Sequence, residues 1–176
     1  DFSAPLAALE AARRRGGAGA AGLELVGPDG GRWLDRHAPR EGLAPYYNPL
    51  DPRVQAAMLD VIRELVARYE RHPSLAGVAV QLSADGYAQL PGLEWGLDEA
   101  TLARFEAERK LDLWAEGART PTDRAALVLS KHRAAWTEWR CQTLATSYRR
   151  LAEVVAEGRS DRRLYLTTAH ALDRPE

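Results

Sequence analysis

The chain has 176 residues, enough for one domain with a real core, and combines a net charge of −1 with 45% hydrophobic and 28% charged residues. That balance removes any broad electrostatic attraction to nucleic acid or to an anionic membrane surface, and no stretch reaches the roughly 20 apolar residues of a membrane span. Cys141 is the only cysteine, which excludes an intrachain disulfide and a cysteine-based zinc site.

Residues 5–15 predict a short amphipathic helix, with Pro5 early, Leu6 and Leu9 on one face and Gly16-Gly17 as terminator. Arg13-Arg14-Arg15 lie at its end, where cations favour the negative pole of the helix dipole. Residues 21–26 read as a short apolar strand closed by the turn Gly27-Pro28-Asp29-Gly30. A polar loop follows over 32–41, then a second short strand over 43–47.

Asp51-Pro52 opens the clearest helix in the chain. Asp51 is a good N-cap, Pro52 suits the first helical position, and Val54, Met58, Val61, Ile62, Leu65, Val66 and Tyr69 recur at helical spacing. His72-Pro73 stops it. Residues 75–82 form a near-continuous apolar run, the pattern of a buried parallel strand. A loop rich in Gly, Tyr and Trp covers 83–96, and a helix over 98–110 turns Leu102 and Phe105 inward. Residues 122–157 read as helical with a break near Ser130, and 163–168 as a last strand. Cys141 falls in this long helical region and reads as a small semi-buried core thiol. Trp136 and Trp139 read as packing residues. Both chain ends read as cut from something longer.

Strands joined through helices imply parallel pairing with right-handed crossovers. The fold class expected is α/β, with about four βα units of a (β/α)8 barrel and a single domain over 1–176. The absence of a GxGxxG or phosphate loop after any strand argues against an open nucleotide-binding sheet. In a parallel barrel the functional groups follow the strands. After the first come Asp29, Arg32 and Trp33; at the second, Tyr46, Tyr47 and Asn48; after the third, Asp85, Tyr87, Gln89, Glu94 and Trp95; after the last, Thr167, Thr168 and His170. Gln81 lies inside the third strand, where a buried amide needs hydrogen-bond partners.

Such a set suits carbohydrate, whose C–H faces stack on indole and phenol rings and whose hydroxyls need amide and carboxylate partners. Bland readings stand beside these. Tyr46 and Tyr47 could cover a barrel edge, Asn48 could cap the turn before Pro49, and Asp85-Gly86 is also a plain turn dipeptide. His37, His72, His132 and His170 are scattered without metal-ligand spacing, so neither a metal site nor a cofactor is expected.

Tyr46-Tyr47-Asn48-Pro49-Leu50-Asp51-Pro52, running into a long helix, resembles the Asn-Pro segment of glycosyl-hydrolase-like barrel proteins of the family 10-like group. His72 to Val80 looks like the strand that follows there, Trp136 to Leu151 like the next helix with its Trp-Arg pair, and 163–168 like the next strand. The resemblance covers roughly residues 20–168. It implies part of a barrel acting on the glycosidic bonds of oligo- or polysaccharides, with carbohydrate as partner. It puts Asp85 at the catalytic carboxylate position, with Glu94 in the same loop as a second candidate, and Tyr46, Tyr47, Asn48, Gln81, Tyr87 and Trp95 as substrate-binding residues. The sequence departs from the group where an acidic pair accompanies the tyrosine: Ser83-Ala84-Asp85-Gly86-Tyr87 offers one Asp. Glycoside hydrolysis needs two carboxyl groups about 5–9.5 Å apart, so the chain is expected to lack hydrolase activity by itself. Three readings stay open: a part of a longer glycosidase, a carbohydrate-binding or pseudo-enzymatic module, and an unrelated α/β domain.

Overall fold

The computed structural model describes residues 3–36, 47–82, 88 and 90–168. Six α-helices and two strands occur among them: α1 (Ser3–Arg15), α2 (Trp33–Arg36), α3 (Pro52–Tyr69), β1 (Gly77–Leu82), α4 (Glu99–Arg109), α5 (Pro121–Ser130), α6 (Arg133–Ala156) and β2 (Arg163–Thr168).

The helix starts are written locally. Asp51 caps α3 by accepting from the Arg53 N–H, with Pro52 at the first position. Asp98 caps α4 through the Thr101 N–H at 2.9 Å. Thr120 and Asp123 form a reciprocal capping box at α5. The predicted break near Ser130 falls between α5 and α6. There the Ser130 hydroxyl bonds back to the Ala126 carbonyl at 2.6 Å, while Lys131 and His132 both reach the Glu116 carboxylate.

Packing forms three apolar clusters. Leu9 of α1 meets Leu23, Tyr47 and the first half of α3 through Val54 and Ala57. Ile62 and Val66 of α3 meet Val78 of β1 and Leu151, Val154 and Val155 of α6. The largest cluster gathers Leu50, Leu102, Phe105, Val128, Trp136 and Trp139. Phe105 stands edge-on to both indoles, and the indoles stack on each other at 5.3 Å. At about 1.5–3 kcal/mol for each large side chain fully buried, these residues dominate the stabilisation. α6 is the spine: its first half serves the aromatic cluster and its second half the sheet.

β1 and β2 pair in parallel with Gly77 opposite Arg163 and Leu82 opposite Thr168, joined by a crossover through α4, α5 and α6. Among the described residues the sheet has two strands. The expectation of about four βα units of a (β/α)8 barrel is therefore corrected to an α/β arrangement with, among the described residues, six helices and a two-stranded parallel sheet along which α6 packs.

The reason lies in how residues 21–26 spend their backbone groups. Leu23 O accepts from Asn48 N, Leu25 O from Trp33 N, and Val26 O from both Gly96 N and Leu97 N. Glu24 and Val26 make isolated antiparallel bridges to Tyr47 and Arg32. Three unrelated segments thus share the hydrogen bonds that one neighbouring strand would need. Most of the second predicted strand, 43–46, lies outside the described residues.

Two further differences concern exposure. β1 buries Val78 but leaves Ala79 and Gln81 exposed, so the apolar run does not mark a strand covered on both faces. Cys141 is exposed on α6, because the helix turns its other side to the core.

Candidate functional site

Two tight segments meet at one corner. The turn after Val26 closes through Gly30 N to Gly27 O and Gly27 N to Gly31 O, with Gly30 in the left-handed region at φ 79°. This returns the chain so that Trp33 N donates to Leu25 O at 2.9 Å. From the other side, Gly96 at φ 84° lets Gly96 N and Leu97 N both reach Val26 O. The two segments bring Trp33 edge-on against Trp95, ring centres 4.8 Å apart.

Trp95 is buried and Trp33 half-buried. The Arg36 guanidinium lies over the Trp95 ring at 5.6 Å and pairs with the Asp29 carboxylate. The Gly31 backbone N–H and Arg36 hold the Asp29 carboxyl below its usual range, so it is an acceptor and not a proton donor at neutral pH. Glu94 is exposed beside Trp95. A cleft of about 130 Å³ lined by Gly27, Pro28, Gly30, Leu97 and Glu99 opens next to the corner. The corner thus brings together an indole pair, a cation and the Asp29 carboxylate, with Glu94 exposed beside it in sequence.

Beneath it lies a buried polar knot. Asn48, fully buried, donates to Asp98 Oδ2 at 3.0 Å and Thr101 Oγ1 at 2.9 Å and accepts from Leu50 N at 3.0 Å. Burial pushes the Asp98 carboxyl upward, opposed by its hydrogen bonds from Thr101, and the nearby Asp51 charge adds to the rise. Gly22 has room for this: a Cβ there would lie 2.9 Å from Asp51 Oδ2 and 3.4 Å from Asp98 Oδ1. Asp51 and Asp98 are thus close neighbours, but each is occupied as a helix cap.

The structure distributes the sequence-predicted site residues unevenly. Tyr46, Asp85 and Tyr87 lie outside the described residues. Trp95 meets Trp33, and it and Asp29 both lie against Gly27, while the Glu94 carboxylate turns back toward Gly92. Tyr47 is buried, its hydroxyl donating to Glu10 Oε2 at 3.1 Å. Asn48 sits behind the corner, its Oδ1 3.5 Å from where a Cβ on Gly96 would stand. Gln81 is exposed on β1, apart from these groups.

Arg36, Asp98 and Thr101 join this region without having been singled out from the sequence. The Asp98-x-x-Thr101 spacing was a readable capping signal; nothing in the sequence distinguishes Arg36 from any surface arginine.

Comparison with protein-family models, curated proteins and solved structures finds no match for this chain in any of the three. Among the described residues no group of three or more His, Cys, Asp or Glu could hold a metal ion. No helix among them is long and apolar enough to cross a membrane.

Proposed function

We propose that this chain recognises carbohydrate as a glycoside-hydrolase-like protein, and that the 176-residue chain binds sugar without cleaving it. The half-buried Trp33, set edge-on against Trp95, whose ring the Asp29-paired Arg36 overlies and whose neighbour in sequence is the exposed Glu94, carries this reading. A braced indole supplies a rigid apolar platform for a sugar ring face, and the charged groups around it supply hydroxyl partners. The resemblance of the Asn-Pro segment and the Trp-Arg helix to glycosyl-hydrolase-like proteins points the same way.

Cleavage asks for more. One carboxyl must be protonated at working pH and face a second across the bond. At the corner Asp29 is held ionised, and the carboxyl that burial raises, Asp98, is locked in a cap.

Titration of the chain with xylo-, cello-, manno-, malto- and chito-oligosaccharides, followed by calorimetry and tryptophan fluorescence, tests the reading. At least one series should bind, and Trp33→Ala should weaken it about tenfold, the equivalent of about 1.4 kcal/mol. Failure of every series to bind, or binding indifferent to Trp33→Ala, would overturn it. Turnover of an aryl glycoside by the purified chain would overturn the second half.

A further inference from the structure

Three polar side chains on one stripe of α6 reach the same loop. Trp136, Arg140 and Tyr148 are spaced by four and eight residues, so they lie along one face of the helix. Arg140 donates from Nη1 to Leu93 O at 2.8 Å and from Nη2 to Gly92 O at 2.6 Å. Trp136 Nε1 donates to the same Leu93 O at 3.3 Å, and the Tyr148 hydroxyl donates to Ala88 O. Every acceptor is a backbone carbonyl in the segment that leads to Glu94 and Trp95.

Arg140 is the telling member. It is 6% exposed and stacks over the Trp136 ring at 5.5 Å. A buried cation is costly, and a hydrophobic residue of similar size commonly serves stability as well or better. Burial pushes the Arg140 guanidinium down to about 10. What the arginine supplies and a hydrophobe cannot is a two-pronged grip on consecutive carbonyls. That grip reaches Glu94: a Cβ on Gly92 would stand 2.6 Å from both Glu94 carboxylate oxygens, so the carboxylate folds back over the residue whose carbonyl Arg140 holds.

We infer that Trp136, Arg140 and Tyr148 are positioning residues that fix the Glu94–Trp95 corner through the carbonyls of Ala88, Gly92 and Leu93. They act on any bound saccharide through that backbone and touch no ligand themselves. The inference rests on the carbohydrate reading of the corner for its functional meaning, while the clamp has a readout of its own.

The experiment is amide hydrogen exchange on the full chain and on Arg140→Met, Arg140→Lys and Tyr148→Phe, alongside oligosaccharide titration. In Arg140→Met, exchange at 90–97 should quicken about tenfold or more while α3 and the second half of α6 keep their protection. Saccharide affinity should fall about tenfold. Arg140→Lys, which keeps a donor, should recover part of both. Tyr148→Phe removes one hydroxyl from a packed ring and should loosen the segment near Ala88 without unfolding the chain, which keeps the test open if Arg140→Met fails to fold. Unchanged exchange at 90–97 in Arg140→Met, or loosening of the same size in Arg140→Lys, overturns the clamp. Protection spread evenly over the whole chain in its loss also overturns it. Confined loosening in a protein that binds no saccharide supports the clamp and overturns the carbohydrate reading.

Discussion

Asn48→Leu replaces a buried amide by an apolar side chain of the same branching but larger volume, so it removes the hydrogen bonds and adds some crowding at a fully buried site. Three bonds disappear: to Leu50 N, Asp98 Oδ2 and Thr101 Oγ1. Leu50 N is left without its acceptor in the core, at about 1–3 kcal/mol. Asp98 keeps Thr101 N and Thr101 Oγ1 at 2.9 and 2.6 Å, but loses one donor to a charged group, about 1.5–3 kcal/mol more. Crowding by the larger leucine offsets its hydrophobic gain. The expected loss is about 3–5 kcal/mol, a fifth or more of the ~5–15 kcal/mol of an ordinary domain. At about 2–4 °C per kcal/mol for a chain of this size, melting should fall by roughly 6–20 °C. Urea unfolding followed by circular dichroism gives the number directly. A loss below about 1 kcal/mol would refute the claim that Asn48 ties the starts of α3 and α4 together.

The same knot predicts a pH dependence. Burial raises the Asp98 carboxyl, so the folded state holds that proton more tightly than the unfolded chain. Its stabilisation is therefore fully present at low pH and is lost as pH rises from the ordinary value of 3.8 through the raised folded value. Asp98→Asn carries no such proton, so wild type should lose ground to the variant in urea midpoint between pH 3.5 and 7; a flat gap would refute the raised carboxyl, and a gap that moves the other way would show that the hydrogen bonds from Thr101 outweigh burial. Gly77→Ala addresses the sheet. A Cβ on Gly77 would collide with the Arg163 backbone carbonyl, and rigid backbone cannot yield as a side-chain tip can. The β1–β2 pair should therefore open at its first register position, costing about 1–3 kcal/mol or more, with faster exchange at Arg163 N, which donates to Ala76 O. Unchanged stability would refute that close approach.

Much of the fold was legible where the signal is local. Asp51-Pro52 announced α3, the helix over 98–110 placed Leu102 and Phe105 inward, and the Trp136 and Trp139 spacing marked packing residues; each depends on neighbours a few positions away. The strands were harder. An apolar run such as 21–26 says that a segment is buried, and leaves open whether one long neighbour or several short ones will take its hydrogen bonds. Here Asn48, Trp33, Gly96 and Leu97 take them, and the barrel expected from that run gives way to two strands. Gln81 shows the converse error. Its neighbours are apolar, yet one face of the strand is open, so the amide is exposed. At the corner, Trp33, Glu94 and Trp95 were visible as residue types following predicted strands, but the closeness of residues sixty positions apart was not.

The sequence by itself determined the Asp51 cap, the turn at Gly27–Gly30, the division of the long helix near Ser130, and the supply of aromatic and carboxylate side chains in the loops. Those depend on dihedral preference and on hydrogen bonds within a few residues. Tertiary structure alone decided what the polar groups do. It made Asn48, Asp51 and Asp98 a structural knot, aimed Arg140 at two carbonyls, and set Trp33 against Trp95. Such roles depend on which distant segments share a surface, and on what burial does to a charge once they have met.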